Sequence, residues 1–209
     1  MKSTHTSSEK RPIKVVMIDN QDSFTFNLVD ELKLQNCELR IFQNYVKVEV
    51  IEKLYEEGEI DLLLISPGPG SPQEAGCCIE LVQRLMGKLV IAGICLGHQA
   101  IISCLGGDIG QYSTVVHGKS SAITHQKQGL FADLESPMNV ARYHSLSAQE
   151  VPEPLKVTAE CDGIAMAVAS EEMGLYGLQF HPESILTIQG QHIISNLLDQ
   201  VRLFQEQKT

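Results

Sequence analysis

Cys95 sits between two glycines in "GICLGHQA" (93–100), a G-x-C-x-G spacing. An apolar run, "KLVIAGI" (88–94), leads in and a helical pattern, "HQAIISCLGG" (98–107), leads out. A tight strand-to-helix turn of this kind needs small neighbours and pushes its central side chain out above a sheet. The N-terminal end of the following helix points its dipole and free N–H groups at the sulfur, which favours the thiolate. The N–H of Leu96 is placed to serve an oxyanion. Taken alone, the stretch reads rather as a buried cysteine in a glycine-rich turn.

Partners decide between those readings. "QFHPES" (179–184) follows the apolar run "LYGLQF" and puts His181 just past a strand end, with Glu183 two residues on. Residues at i and i+2 of an extended chain share a side, and Pro182 favours extension at His181. Glu183 can then hold one tautomer of His181 and stabilise the imidazolium. Cysteine, histidine and carboxylate together make a thiolate–imidazolium device for nucleophilic catalysis. Separately, His181 would pass for a satisfied core histidine and Glu183 for a solvated strand end. A third stretch, "SPGPGSP" (66–72), also follows a strand. Its prolines and glycines form a rigid loop in which the amide of Gly70 could face a developing oxyanion. With no G-K-[S/T] it is a poor phosphate loop.

These stretches need a scaffold. "IKVVMI" (13–18), "LRIF" (39–42), "DLLLIS" (61–66) and "KLVIAGI" are apolar runs that alternate with helical patterns at 24–34, 48–58, 77–87 and 98–107. That alternation predicts an α/β fold: an open, mostly parallel twisted sheet flanked by helices. Sites in such sheets lie beyond the carboxyl ends of the strands. Further on, "PMNVARYHSL", "LKVTAEC", "GIAMAVAS" and "GLYGLQF" read as strands with little helix between them. They predict a smaller, partly antiparallel C-terminal portion, closed by a helix over "GQHIISNLLDQVRLF" (190–204).

The chain has 209 residues, 43% hydrophobic and 20% charged, with a net charge of −10. This suits one domain over 13–209 behind a disordered polar tail at 1–12. The acidity argues against nucleic acid as a partner. No apolar run reaches the roughly 18 residues of a membrane span, and "MKSTHTSSEKRP" lacks the apolar segment of a secretory signal. No membrane partner and a cytoplasmic location are expected. Of six cysteines, none pairs as C-x-x-C, so zinc and disulfide frameworks are poor fits.

In combination, "SPGPGSPQEAG", "GICLGHQA", "HGKSS", "ARYHSL" and "LQFHPESIL" resemble, in order, the motifs of the class I (triad) glutamine amidotransferases. The resemblance runs from near residue 13 to the C-terminus and implies the flavodoxin-like fold of that family. It implies Cys95, His181 and Glu183 as the triad and the amides of Gly70 and Leu96 as the oxyanion hole. It implies Gly68, Pro69, Gly70, Gln99, Ser145 and Leu146 as contacts to L-glutamine. His144 is not a triad member in the family, and His98, in the first turn of its helix, reads as structural. Within the family, "IDNQDSFTFNL", "HGKSS" and "HPESILTIQG" are most similar to the glutaminase subunits of anthranilate synthases. The glutaminase subunits of aminodeoxychorismate synthases, in folate synthesis, are the near alternative, and some subunits serve both.

The resemblance implies no cofactor in this chain. One glutaminase domain of this size leaves no room for an acceptor site, so ammonia must pass to a partner. That partner would be the chorismate-binding anthranilate synthase component I, or alternatively aminodeoxychorismate synthase component I, and Mg2+ would bind there. "DNQDSFT" is expected near the contact, and also reads as an Asx turn and helix N-cap. Two rivals remain. A cysteine peptidase or esterase could use the same turn. A receiver-like domain could use Asp19 and Asp22, but it needs an aspartate where this chain has Ser66-Pro67.

Overall fold

The computed structural model describes residues 11–111 and 119–208. The expected N-terminal tail and the start of "HGKSS" lie largely outside the described residues. Strands β1 (Ile13–Asp19), β2 (Cys37–Gln43), β3 (Leu62–Ile65) and β4 (Val90–Ile94) alternate with helices α1 (Thr25–Leu34), α2 (Val48–Glu56) and α3 (Cys78–Leu85). Helix α4 (Leu96–Cys104) follows Cys95 directly. Then come β5 (Ile109–Gln111), β6 (Lys119–His125), β7 (Met138–Arg142), β8 (Leu146–Ala148), β9 (Lys156–Cys161), β10 (Ile164–Ser170), β11 (Leu175–Leu178) and α5 (Gly190–Glu206).

Among the described residues one nine-stranded sheet runs β2-β1-β3-β4-β11-β10-β9-β6-β7, with β5 and β8 paired apart from it. The pairings from β2 through β11 are parallel. Those from β11 through β7 are antiparallel. The α/β class and the antiparallel C-terminal part are as the sequence implies, and the antiparallel strands extend the same sheet.

Period-two alternation explains the apolar central strands. Val15, Met17, Leu62 and Leu64 face α1 and α5, while Val16, Ile18, Leu63 and Ile65 face α2, α3 and α4. Both faces are covered, so both sets must be apolar.

Three details differ from expectation. "PMNVARYHSL" is not one strand: the chain leaves the sheet after Arg142 and re-forms as β8 in the small ribbon. Strand β6 has no apolar signature in the sequence, because Ile123 is its one fully buried side chain among those described and its pattern is polar. The short β5 has no fully buried residue to mark it.

Candidate active site

Four chain segments converge beyond the carboxyl ends of β1, β3, β4 and β11. At the end of β1, Asp19 accepts hydrogen bonds from the Gln21 N–H (2.9 Å), the Thr25 hydroxyl (3.0 Å) and the Gln43 amide (2.8 Å). Asp22 accepts one from the Phe24 N–H at 2.7 Å, the expected Asx turn. The N-cap position of α1 falls to Phe24, without a side-chain cap, so that part of the expectation is corrected. Asn20 is buried and pins the loop after β3. Its backbone N–H donates to the Ser66 hydroxyl and its side-chain amide to the Ser66 carbonyl, both at 2.9 Å. Gly68 passes so close that a Cβ there would stand 2.5 Å from the Asn20 Cβ. Pro69 and Gly70 are exposed, and Gly70 takes a left-handed φ of 80°.

Cys95 itself has φ 51° and ψ −98°, a conformation that non-glycine residues adopt only under constraint. The constraint is visible on both sides. The Cys95 N–H donates to the Leu178 carbonyl at 2.7 Å, and its carbonyl accepts from the Gln99 N–H at 3.1 Å. A Cβ on Gly93 would lie 2.3 Å from the backbone of Gly97, and one on Gly97 would lie 2.3 Å from the Ile65 carbonyl oxygen. The G-x-C-x-G spacing is thus a packing requirement: α4 starts against β3 and β4 with no room for a methyl group.

Past β11 the chain holds His181 in an antiparallel bridge with Ala141, through a 3.1 Å bond from its N–H to the Ala141 carbonyl. Extension ends there. The Ser184 N–H closes a turn onto the His181 carbonyl at 3.3 Å, with Pro182 at a turn position it favours. Glu183 therefore reaches back to His181 from a turn rather than along a strand. The contact is nonetheless the expected one, Nδ1 to Oε1 at 2.7 Å, between side chains 2% and 0% exposed. Thr187 fastens the segment by donating to the His181 carbonyl (2.7 Å) and accepting from the Ala141 N–H (3.0 Å).

Burial alone would push the imidazole of His181 down. The Cys95 sulfur and the Glu183 carboxylate outweigh burial and raise its pKa to about 10. Nε2 of His181 is buried and makes no well-formed hydrogen bond. Two other histidines go the opposite way. Burial pushes His98 down to about 3, and His144 down to about 4. His144 accepts from the Arg142 guanidinium at 3.1 Å and donates to the Leu146 carbonyl at 2.9 Å, so it has no free nitrogen to act as a base.

The structure thus brings Cys95, His181 and Glu183 together. Gln99 and Leu146 meet beside them, the Gln99 amide donating to the Leu146 carbonyl at 3.1 Å, and Ser145 is exposed next to that contact. Sequence reasoning missed three neighbours. The rings of Phe24 and Tyr143 each lie 5.1 Å from the His181 ring and 5.0 Å from one another, enclosing it. The Gln179 amide lies 3.7 Å from the Cys95 sulfur. Phe24 and Gln179 stand inside motifs already singled out, but a role through space leaves no local signature.

Burial raises Cys37 and Cys77 to about 11 and Cys78 to about 12, and it also raises Cys104 and Cys161. All six cysteines are free. Among the described residues, no helix is long and apolar enough to cross a membrane.

The model of the class-I glutamine amidotransferase family matches residues 16–201. The chain is 45% identical over 185 residues to anthranilate synthase component 2 of Vibrio parahaemolyticus, covering 88% of this chain and 94% of that one. It is 41% identical to anthranilate synthase component 2 of Haemophilus influenzae, covering 88% and 96%. A third relative is the pyocyanine-specific anthranilate synthase component 2 of Pseudomonas aeruginosa, 40% identical over 89% of this chain and 93% of that one. In three dimensions the fold matches a glutamine amidotransferase from Thermotoga maritima (TM-score 0.74, 13% identity, 92% of this chain and 99% of that one). It also matches a Thermoplasma acidophilum protein assigned to GMP synthase (TM-score 0.83, 21% identity, 96% of this chain and 100% of that one).

Proposed function

Because the chain belongs to the class-I glutamine amidotransferase family, we propose that it is the glutaminase subunit of an anthranilate synthase, acting in tryptophan biosynthesis. The observation that carries the chemistry is the buried His181–Glu183 pair beside Cys95 on its strained turn. The Cys95 thiolate attacks the side-chain amide carbon of L-glutamine, forming a C–S bond and an oxyanion. The backbone amides of Gly70 and Leu96 receive that oxyanion. His181, protonated at neutral pH, gives its proton to the leaving nitrogen, and ammonia departs to leave a γ-glutamyl thioester. Neutral His181 then takes a proton from water, which attacks the thioester. Glutamate leaves and the thiolate–imidazolium pair is restored. Glu183 holds the imidazole through Nδ1 in both halves.

Gly68, Pro69, Gly70, Ser145 and Leu146 are assigned to glutamine. The Leu146 carbonyl is already occupied by Gln99 and His144, which leaves its N–H for substrate. Gln99 then acts by shaping that edge as well as by contact.

Free ammonia in water would be protonated and lost, so a synthase must take it directly. Exposed apolar side chains close in sequence to the site support a docked partner. Phe26 is 75% exposed two residues after Phe24, and Ile185 and Ile188 are 93% and 87% exposed just after Glu183. Patches of this kind mark interaction surfaces. The partner is anthranilate synthase component I, which would bind chorismate and Mg2+, in a cytoplasmic hetero-oligomer. This chain itself needs no cofactor. The relatives at 40% to 45% identity are anthranilate synthase components, which favours that partner over aminodeoxychorismate synthase.

The test is product formation from chorismate, glutamine and Mg2+ with each large subunit in turn. Anthranilate should form only with component I of anthranilate synthase. Cys95→Ala should abolish glutamine-dependent synthesis and spare synthesis from ammonia. Loss of both, or product only with the other partner, would overturn the assignment.

A further inference from the structure

Three polar groups run inward from the substrate edge to the nucleophile, and their polarity is determined at one end. The Leu146 carbonyl can only accept. The Gln99 atom 3.1 Å from it must therefore be the amide nitrogen, since the reversed amide would set oxygen against oxygen. That nitrogen has a second hydrogen, and it lies 3.2 Å from the side chain of Gln179. The facing atom of Gln179 must then be its oxygen, because the alternative sets two donors together. This leaves the Gln179 NH2 group facing Cys95 Sγ at 3.7 Å, within reach of a sulfur acceptor. Gln179 is fully buried and Gln99 3% exposed, so water does not substitute for either contact. The backbone N–H of Gln179 also donates to the Met166 carbonyl of β10 at 2.9 Å, which seats the residue firmly.

We propose that Gln179 is a catalytic residue whose amide N–H donates to the Cys95 sulfur and favours the thiolate, its orientation set by the Leu146 carbonyl through Gln99. The proposal deepens the glutaminase function assigned above and rests on it. A donor that binds the anion more strongly than the neutral thiol lowers the energy of the charged form selectively. The clamp also gives Gln99 a second task, distinct from touching glutamine: it prevents the Gln179 amide from turning its oxygen toward the sulfur.

The experiment is peptide-resolved alkylation of the full chain with iodoacetamide from pH 5 to 10, for wild type, Gln179→Met, Gln179→Glu and Gln99→Met. The remaining cysteines serve as internal references. Removing a hydrogen bond to a charged group should move the Cys95 midpoint up by about one pH unit and slow labelling below the midpoint roughly tenfold in Gln179→Met. Gln179→Glu, with an acceptor against the sulfur, should shift it further. Gln99→Met should shift it less, in the same direction. A folded Gln179→Met protein, judged by far-ultraviolet circular dichroism, that titrates at the wild-type midpoint overturns the proposal. If that variant does not fold, wild-type midpoints in the other two overturn it equally. Alkylation needs neither glutamine nor the partner. A wild-type chain that makes no anthranilate would defeat the assigned function and leave the alkylation result on Gln179 standing.

Discussion

Replacing Glu183 by glutamine keeps the size and hydrogen-bonding shape of the side chain and removes one buried charge. The consequence follows from His181, whose pKa is held at about 10 against an ordinary 6.5. A raised folded-state pKa stabilises the protein fully below pH 6.5 and less and less as pH climbs to about 10, where the folded protein sheds the proton. At pH 7 a shift of that size corresponds to at most about 4 kcal/mol, similar to the roughly 3–5 kcal/mol lost when one partner of a buried ion pair is removed. In Glu183→Gln only the Cys95 sulfur still opposes the burial of His181, and the imidazole escapes much of the penalty by staying neutral. The expected loss is therefore about 3 kcal/mol near pH 7. Urea unfolding of both proteins between pH 6 and 10 tests it. The gap should be widest at pH 6 to 7 and close progressively toward pH 10. A gap that stays constant across the range would mean that Glu183 stabilises by packing and not by holding an imidazolium. Glutaminase turnover should fall in parallel, while labelling of Cys95 by 6-diazo-5-oxonorleucine remains detectable.

Two further changes test the turn that carries Cys95. Gly97→Ala would place a methyl group 2.3 Å from the Ile65 carbonyl oxygen. Since backbone must move to admit it, a loss of about 3 kcal/mol or more in unfolding free energy is expected, and a loss below about 1 kcal/mol would refute the packing account. At Cys95 the left-handed φ of 51° reverses a usual ranking. Glycine ordinarily costs about 0.5–1 kcal/mol relative to alanine, but Cys95→Gly should be more stable than Cys95→Ala by about 1 kcal/mol, because only alanine keeps the strain. Thermal unfolding of the two variants decides it.

The parts of this protein that are legible in its sequence are those that a local constraint forces. The strands β3 and β4, and β1 from Val15 to Ile18, are buried on both faces, so each reads there as an unbroken apolar run. The glycines beside Cys95 are demanded by contacts of 2.3 Å, and a spacing with one tolerated residue type is readable without coordinates. His181 and Glu183 are two residues apart, so strand periodicity places them on one side, although the chain reaches that contact through a turn. What stays hidden is built between segments distant in the chain. Phe24 and Tyr143 enclose His181 from 157 and 38 residues away in sequence, and nothing in either local pattern marks a shared neighbour. The break in "PMNVARYHSL" is hidden for the same reason. The run looks continuous, yet leaving the sheet after Arg142 is what turns the Leu146 carbonyl toward Gln99. Cys95, His181 and Glu183 are therefore set by short-range geometry, and the groups around them by contacts across the sheet's carboxyl edge. A substitution at Gln179, Phe24 or Tyr143 should accordingly change the rate and pH dependence of a chemistry whose reactants remain in place, whereas one at Gly93 or Gly97 should remove the turn itself.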